Sequence, residues 1–525
     1  MTTTSVPFLR AIRRFAPAPE QSPRRWVVVF YDQLRPRHPL LTGPPADTGV
    51  LYIETTAKPA RRRYHAQKLV LLLSAMRHDA EARGRAGHPV RYHVSNAWYD
   101  VALAEARDRY GLQAATIETL EPAEAEVREP LRGLAWLTLH PNVLWATDTA
   151  FYQRVFSTRG TRRLETFYRA ARVATGLLMD GAVPAGGAWN FDAENRRAWK
   201  GDPPAPAPLT FPPDGITGEV MTLVATRYPA SLGSVEGFGW PVTAEDAERA
   251  VDAFFTTRLA SFGPFEDAMA VDQPELFHSL LSAPLNLGLL DPLELCRRAD
   301  AAYRAGAVPL ASAEGFIRQV LGWREFVRHV YEEHRAHYAT ANALEADLPL
   351  PAWYWGAPSG MHCLDTTVAQ VLASGYSHHI TRLMVFANIA TLLGVDPHAL
   401  NRWFWEAYVD AYEWVVTPNV VGMATWADGG IVGSKPYISS GKYIQRMGPS
   451  LCAACRFTPV KTSGAEACPL NHLYWDFLER HRARLATNIR MAVPLAALRK
   501  LPPAVMDDHR EQAAVWRERA RGADE

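Results

Sequence analysis

One ligand set constrains this chain more than anything else in it: Cys363, then Cys452 and Cys455 separated by two residues, then Cys468 after twelve more. The run Cys452-Ala453-Ala454-Cys455 places two thiolates at the spacing that lets a turn wrap one metal ion or cluster. Pro469 fixes the backbone directly after Cys468, as a proline does after the last cysteine of many cluster motifs. If one centre takes all four sulfurs, the fold must hold Cys363 against a loop that begins 89 residues downstream. Four thiolates suit a structural zinc or a [4Fe–4S] cluster. Spacing alone leans to zinc, although the third and fourth ligands do not repeat the Cys-x-x-Cys unit. The plainer reading is four unrelated core thiols, since free cysteine is often a small buried residue. Cys296, on the helical-looking segment Leu293-Glu294-Leu295-Cys296-Arg297-Arg298, is read that way.

With 525 residues the chain has room for two or three domains with large cores. No window approaches 18 uninterrupted apolar residues, so no membrane span is expected. Five cysteines do not make a disulfide scaffold, and a thiolate site points to a reducing compartment, the cytoplasm. The formal charge of +1 neither demands nor excludes nucleic acid, and short arginine clusters such as Arg61-Arg62-Arg63 read as solvated faces.

The hydrophobic period changes once. Apolar runs at 26–30, 50–53, 90–94 and 116–120 read as buried strands, with helical segments at 64–83 and 96–110 between them. That alternation predicts an α/β domain over 26–141 with a doubly wound parallel sheet, preceded by a flexible tail over 1–25. Phe30-Tyr31-Asp32-Gln33-Leu34 follows the first strand, so the glycine-rich dinucleotide fingerprint is absent. Ser440-Gly441-Lys442 is not a phosphate loop either, because Tyr443 stands where Ser or Thr is needed. Residues 142–245 read as a connector: one amphipathic helix over 164–178, then Pro- and Gly-rich sequence. From 246 to 500 the period is helical throughout, including 309–332, 363–374, 379–393, 401–415 and 473–486. This predicts an all-α domain followed by a charged tail over 501–525.

The helical half carries many of the 16 tryptophans, interleaved with polar groups such as Arg324, Arg382, Asp410 and Asn419. Singly, such aromatics are core. Together, beside a redox-capable cysteine set, they suit a flat aromatic cofactor with phosphate contacts and an electron relay. His378-His379, with Arg382 one turn on, opens a helix and offers proton chemistry near neutrality.

Several motifs, in order, resemble the photolyase/cryptochrome superfamily, in particular its bacterial iron–sulfur branch that includes prokaryotic (6-4) photolyases. They include Gln67-Lys68, Trp189-Asn190-Phe191-Asp192-Ala193-Glu194-Asn195-Arg196, His278-Ser279-Leu280-Leu281-Ser282, Gly322-Trp323-Arg324-Glu325, Tyr376-Ser377-His378-His379-Ile380, Asp410-Ala411-Tyr412-Glu413-Trp414 and Lys435-Pro436-Tyr437, together with the cysteine tetrad. The likeness runs from about residue 26 to 495.

The resemblance implies an antenna-type α/β domain and an FAD-binding all-α domain, and turns the metal expectation from zinc to [4Fe–4S] on Cys363, Cys452, Cys455 and Cys468. By motif, His278, Ser279 and Ser282 would hold the FAD phosphates, and Gln319, Arg324, Arg382 and Asp410 would be polar contacts to the flavin and its chain. Trp403 would be the tryptophan nearest the flavin and Trp355 a distal relay member. His379 would be the active-site acid, with His378 orienting it. The implied function is a carbon–carbon lyase that repairs (6-4) photoproducts in UV-damaged DNA by light-driven electron transfer, acting as a monomer. The alternative is a cryptochrome-type blue-light receptor with the same cofactors and no repair.

Four positions depart from the family pattern. Tyr31 stands where relatives carry glycine, and Lys58 where an acidic antenna contact is expected, so both count against a ribityllumazine-type antenna. Phe404 replaces a usual tyrosine, and Val415-Val416-Thr417 lies where some relatives carry an acid near the flavin.

Overall fold

The computed structural model describes residues 7–157 and 162–522. Five parallel strands form one sheet: β1 (Arg25–Val28), β2 (Thr48–Thr55), β3 (Val90–Ser95), β4 (Thr116–Leu120) and β5 (Leu137–His140), in the order β3-β2-β1-β4-β5. β1 is the centre, pairing Trp26 with Gly49 on one side and Ile117 on the other. Its apolar run and all eight residues of β2 are buried, as a strand covered on both faces requires. β5 has no counterpart in the sequence reading. It is an edge strand with one buried residue, Leu137, so it leaves no apolar run to detect.

The order 3-2-1-4-5 reverses direction between β1 and β4, the switch point where a crevice opens beyond the strand ends. The helix Ala66–Arg85 packs against the sheet, and Gly215–Arg227 of the connector returns to pack on that helix. Arg77 ties this layer, donating to Glu54 at 3.1 Å and to Glu219 at 2.8 Å.

Helices occur in both segments read as tails, of which residues 1–6 and 523–525 lie outside the described residues. Residues 7–15 form Pro7–Ala11 and Ile12–Phe15, burying Phe8, Leu9 and Ile12, because their spacing places an apolar stripe on one short helix. At the other end, Pro503–Gly522 is a helix that buries Met506, His509, Ala513, Trp516 and Ala520. That alternating three- and four-residue spacing gives one apolar face, which docks on Pro469–Arg480 beneath the charges.

In the helical half, 309–332 and 379–393 run unbroken, but each contains a π-helical stretch, at Arg318–Arg324 and Arg382–Ala387. A third π stretch is Pro418–Ala424. Such bulges displace side chains from the regular helical rows and are frequent at functional sites. The helix expected over 401–415 instead ends at Ala407 and resumes at Glu413–Thr417. Tertiary partners take its terminal carbonyls: Lys68 Nζ donates to the carbonyl of Trp405 at 2.7 Å, and His65 N–H to that of Glu406 at 2.7 Å. The break leaves Asp410 on a loop, free to face the neighbouring helices.

Candidate active site and metal centre

Three imidazoles meet at the junction of the loop 276–281 and the helix that begins at His379. Leu276 and Leu280 hold left-handed φ angles of +42° and +60°, a strain that persists only where the surroundings enforce the loop. His278 lies flat on His378, with centroids 4.4 Å apart and planes 6° apart, and His379 meets His278 edge-on at 5.4 Å. His278 and His378 are buried, and burial first, then the charge of neighbouring histidines, drives both well below the ordinary imidazole pKa. They are neutral rings at pH 7.

His379 behaves oppositely. Its side chain keeps 46 % of its surface open, although neighbouring groups crowd its ring. Burial works against its charge, but Asp267, with Oδ1 3.6 Å from Nε2, and the nearby Glu266 raise its pKa overall. Tyr443 donates its hydroxyl to the other Asp267 oxygen at 3.2 Å. For Asp267 burial again acts to raise the pKa, and the His379 contact reverses it. Glu266 is pushed up to about 7, chiefly by burial, while Gln319 donates to it at 2.8 Å and Asn195 at 3.1 Å. Sequence reading missed Glu266, Asp267 and Tyr443. The detectable signal was two adjacent acids within the apolar run from Phe265 to Ala270.

A second network adjoins the first. Arg382, at the start of its π stretch, grips Asp410 with two parallel bonds of 3.0 Å and donates Nε to the Ser377 carbonyl at 2.7 Å. Ser282 donates to Asp410 at 2.7 Å, and Asn286 donates to the Asp410 carbonyl at 2.9 Å. Arg324 reaches the Asn286 side chain at 3.2 Å and lies over Trp145 at 4.3 Å. Burial, with Arg328 and Arg35 close by, lowers Arg324 to about 10 despite Glu325. Such a crowded cation gains from an added anion. Ser279 flanks this network, its hydroxyl accepting from Leu281 N–H at 3.3 Å.

Beyond Arg382 lies an aromatic cluster. Trp403 is buried among Phe386 (4.9 Å), Phe404 (5.0 Å), Tyr354 (5.3 Å) and Tyr408 (5.8 Å), and its indole N–H donates to the Tyr354 carbonyl at 2.9 Å. Trp355, next in sequence to Tyr354, is 36 % exposed at the surface under Arg63. Tyr408, which sequence reading did not single out, sits under Arg382 at 4.1 Å and shares a 2.9 Å bond with Ser377.

Cys363, Cys452, Cys455 and Cys468 line one cavity, walled by Met361, Ile444, Leu451, Phe457 and Leu470. Cys363 opens the helix His362–Ser374, and Cys468 caps Pro469–Arg480. Burial and the other three thiols push Cys363 well up, and burial lifts Cys452 to about 11 and Cys468 to about 12. Only glycine fits at 441, since a Cβ there would lie 2.6 Å from Cys468 Sγ. Among the described residues no three of these sulfurs come within 4.8 Å of one another.

The chain's own side chains narrow the switch-point crevice without closing it: Lys58, Tyr99, Glu124 and Tyr412 line a cavity there. Tyr31 donates to Glu124, which Lys58 also contacts at 2.6 Å, and Lys58 reaches Glu126 at 2.7 Å. Tyr31 stacks on Tyr412 of the helical half at 6.1 Å, with planes 13° apart.

Residues 27–240 match the family model described as deoxyribodipyrimidine photo-lyase-related protein. The chain is 41 % identical over 502 residues to a protein of Agrobacterium fabrum named (6-4) photolyase, covering 93 % of this chain and 98 % of that relative. In fold it is similar to a bacterial class III photolyase from Agrobacterium tumefaciens, with a TM-score of 0.53 at 16 % identity over 96 % of this chain and 97 % of that one. It is likewise similar in fold to a cryptochrome of Synechocystis sp. PCC6803, with a TM-score of 0.54 at 13 % identity over 82 % and 90 % of the two chains.

Proposed function

The chain belongs to the photolyase/cryptochrome family, and from that premise we propose that it is a DNA-repair lyase that splits (6-4) photoproducts under light. The observation that carries the repair reading is the contrast within the histidine cluster: two buried neutral rings hold a solvent-open His379 whose pKa Asp267 raises.

FAD fits the residues present. Arg324 and Arg382 supply cations, Ser279 and Ser282 supply hydroxyls, and the buried His278 Nε2 is without a partner in the described structure. When bound, reduced FAD supplies an electron from its excited state. The Arg382–Asp410 pair would present a fixed planar charge to the bound cofactor, and Gln319 and Arg324 would supply further polar contacts. Trp403 would serve as the inner relay residue, and the exposed Trp355 as the outer one. As an imidazolium, His379 would face Asp267 with Nε2 and offer Nδ1–H to the substrate, then recover the proton after bond cleavage. His378 stacks on His278, and through that ring it orients His379, which meets His278 edge-on. The lesion would have to leave the stack to reach His379, which costs least at a damaged step. Arg196 and Arg446, exposed beside Asp267 and Tyr443, are placed to meet phosphates, so affinity should fall with salt.

For the four cysteines we favour a [4Fe–4S] cluster. All four thiols line one apolar-walled cavity, with Pro469 directly after the last of them, and the tetrad resembles that of the iron–sulfur branch, where each thiolate would take its own iron. A ribityllumazine-type antenna in the cavity of the crevice would meet the buried Lys58–Glu124 ion pair, which counts against it.

The test is illuminated repair of an oligonucleotide carrying one (6-4) site, beside a cyclobutane-dimer control. Restoration of the (6-4) site is expected. Flavin-loaded protein that repairs neither lesion would transfer the assignment to a photoreceptor.

A further inference from the structure

Away from these sites, the described residues hold one more convergence of metal-ligating atoms: His472 and Asp508, with His509, whose donors all lie within 4.8 Å of one another. His472 lies on Pro469–Arg480, and the other two lie on the C-terminal helix Pro503–Gly522. His472 Nδ1 stands 3.0 Å from His509 Nδ1 and 3.6 Å from Asp508 Oδ2. Both rings are buried, and Asp508 is partly open to solvent.

The protonation of this group is fixed by its surroundings. His472 Nε2 contacts the Gly464 carbonyl at 3.2 Å, and a carbonyl only accepts, so Nε2 carries the hydrogen. In the neutral ring Nδ1 is then a bare lone pair. Asp508 Oδ2 accepts the Gly464 N–H at 3.0 Å, so one glycine backbone orients both side chains. Burial lowers the pKa of both histidines, which keeps them neutral. Two lone pairs, on His472 Nδ1 and Asp508 Oδ2, therefore face His509 Nδ1, whose hydrogen moves to the unpartnered His509 Nε2 when an ion takes its place. A carboxylate beside a bare imidazole nitrogen is repulsive, and a cation relieves it.

The spacing suits a metal ion. With bonds of about 2.05 Å, donors 3.0 and 3.6 Å apart subtend about 94° and 123° at the ion, on either side of the tetrahedral angle. The backbone hydrogen bond on the far nitrogen of His472 is the usual second support of a ligating imidazole.

We propose that His472, Asp508 and His509 bind a divalent ion of the zinc class, which clasps the C-terminal helix to the helix Pro469–Arg480. It is separate from the cysteine centre and independent of the repair reading.

The test uses untagged full-length protein retaining flavin and iron. It is dialysed against chelator, loaded with Zn²⁺ and freed of excess by gel filtration, and its metals are measured by plasma mass spectrometry. About one zinc per chain is expected in the wild type and in Cys363→Ala, with less than about 0.2 in Asp508→Asn and His509→Gln. Zinc should also raise the thermal midpoint of the wild type and leave that of Asp508→Asn unmoved. Asp508→Asn keeps the shape of a partly exposed side chain, so it stays informative if His509→Gln fails to fold. No retained zinc in the wild type, or equal retention in Asp508→Asn, overturns the proposal.

Discussion

Nε2 of His379 stands 3.6 Å from Oδ1 of Asp267, and this contact raises the pKa of a histidine that burial alone would lower. If the imidazolium donates a proton in repair, the rate is full while His379 is protonated and falls as pH rises through its pKa. Asp267→Asn removes the raising influence, so the fall should move to lower pH while flavin content stays unchanged. His379→Ala should abolish (6-4) repair at every pH but keep DNA binding. A pH–rate profile of Asp267→Asn that overlays the wild type would refute the coupling.

Arg382 and Asp410 are joined by two bonds, so removing either leaves a charge without its partner. A charged hydrogen bond is worth about 1.5–3 kcal/mol, or roughly 10- to 100-fold in affinity. Arg382→Ala and Asp410→Ala should each lower the flavin-to-protein absorbance ratio of the purified protein. Arg382→Lys should not restore it, because an ammonium cannot make the paired contact. Full flavin occupancy in both alanine variants would remove these residues from the cofactor site.

Gly441 presses against Cys468, where a Cβ would come within 2.6 Å of the sulfur. Gly441→Ala should therefore lower iron and acid-labile sulfide without changing a ligand, and Cys363→Ala should remove most of both. About four irons per chain are expected in the wild type. One zinc that disappears in Cys363→Ala, with no iron, would return the site to zinc.

Trp403 donates its indole N–H to a carbonyl, which favours a transient positive charge on the ring, whereas Arg382 lies over Tyr408 and opposes one there. Trp403→Phe should slow photoreduction of oxidised flavin far more than Tyr408→Phe. Flash photolysis of the two variants checks the order, and a reversed order would make Tyr408 the inner donor.

Lys58 neutralises Glu124 in the crevice between the two halves. For Glu124, burial raises the pKa, and Lys58 outweighs it, leaving the carboxyl below its ordinary value. The stabilisation is thus present above the unfolded pKa and is lost as pH falls through the folded one. Lys58→Ala should destabilise by about 3–5 kcal/mol at neutral pH, with the gap from wild type narrowing in acid. Denaturant melts at pH 7 and pH 4 test this, and equal gaps at the two would argue against the pair.

Much of this was legible along the chain. The continuous apolar runs and the helical period marked the sheet and the helical half, and a single four-cysteine centre called for Cys363 beside the loop at 452–468, where all four thiols line one cavity. The apolar face of Pro503–Gly522 was also there to be read, since Met506, His509, Ala513, Trp516 and Ala520 recur at helical spacing. Charge density between them masked it.

What the sequence determined was local: which segments are strands or helices, and which residue types carry chemistry. What the tertiary structure decided was which of those residues meet. Asp267 and His379 are 112 positions apart, too far for any periodicity to relate them, and only packing brings them within 3.6 Å. The helix over Pro397–Ala407 ends because Lys68 and His65, from the other half of the molecule, take its carbonyls. That break frees Asp410 to meet Arg382. Backbone hydrogen bonding within a segment is a local property, but competition for its terminal carbonyls and the protonation of a buried ring depend on neighbours that only the folded chain supplies.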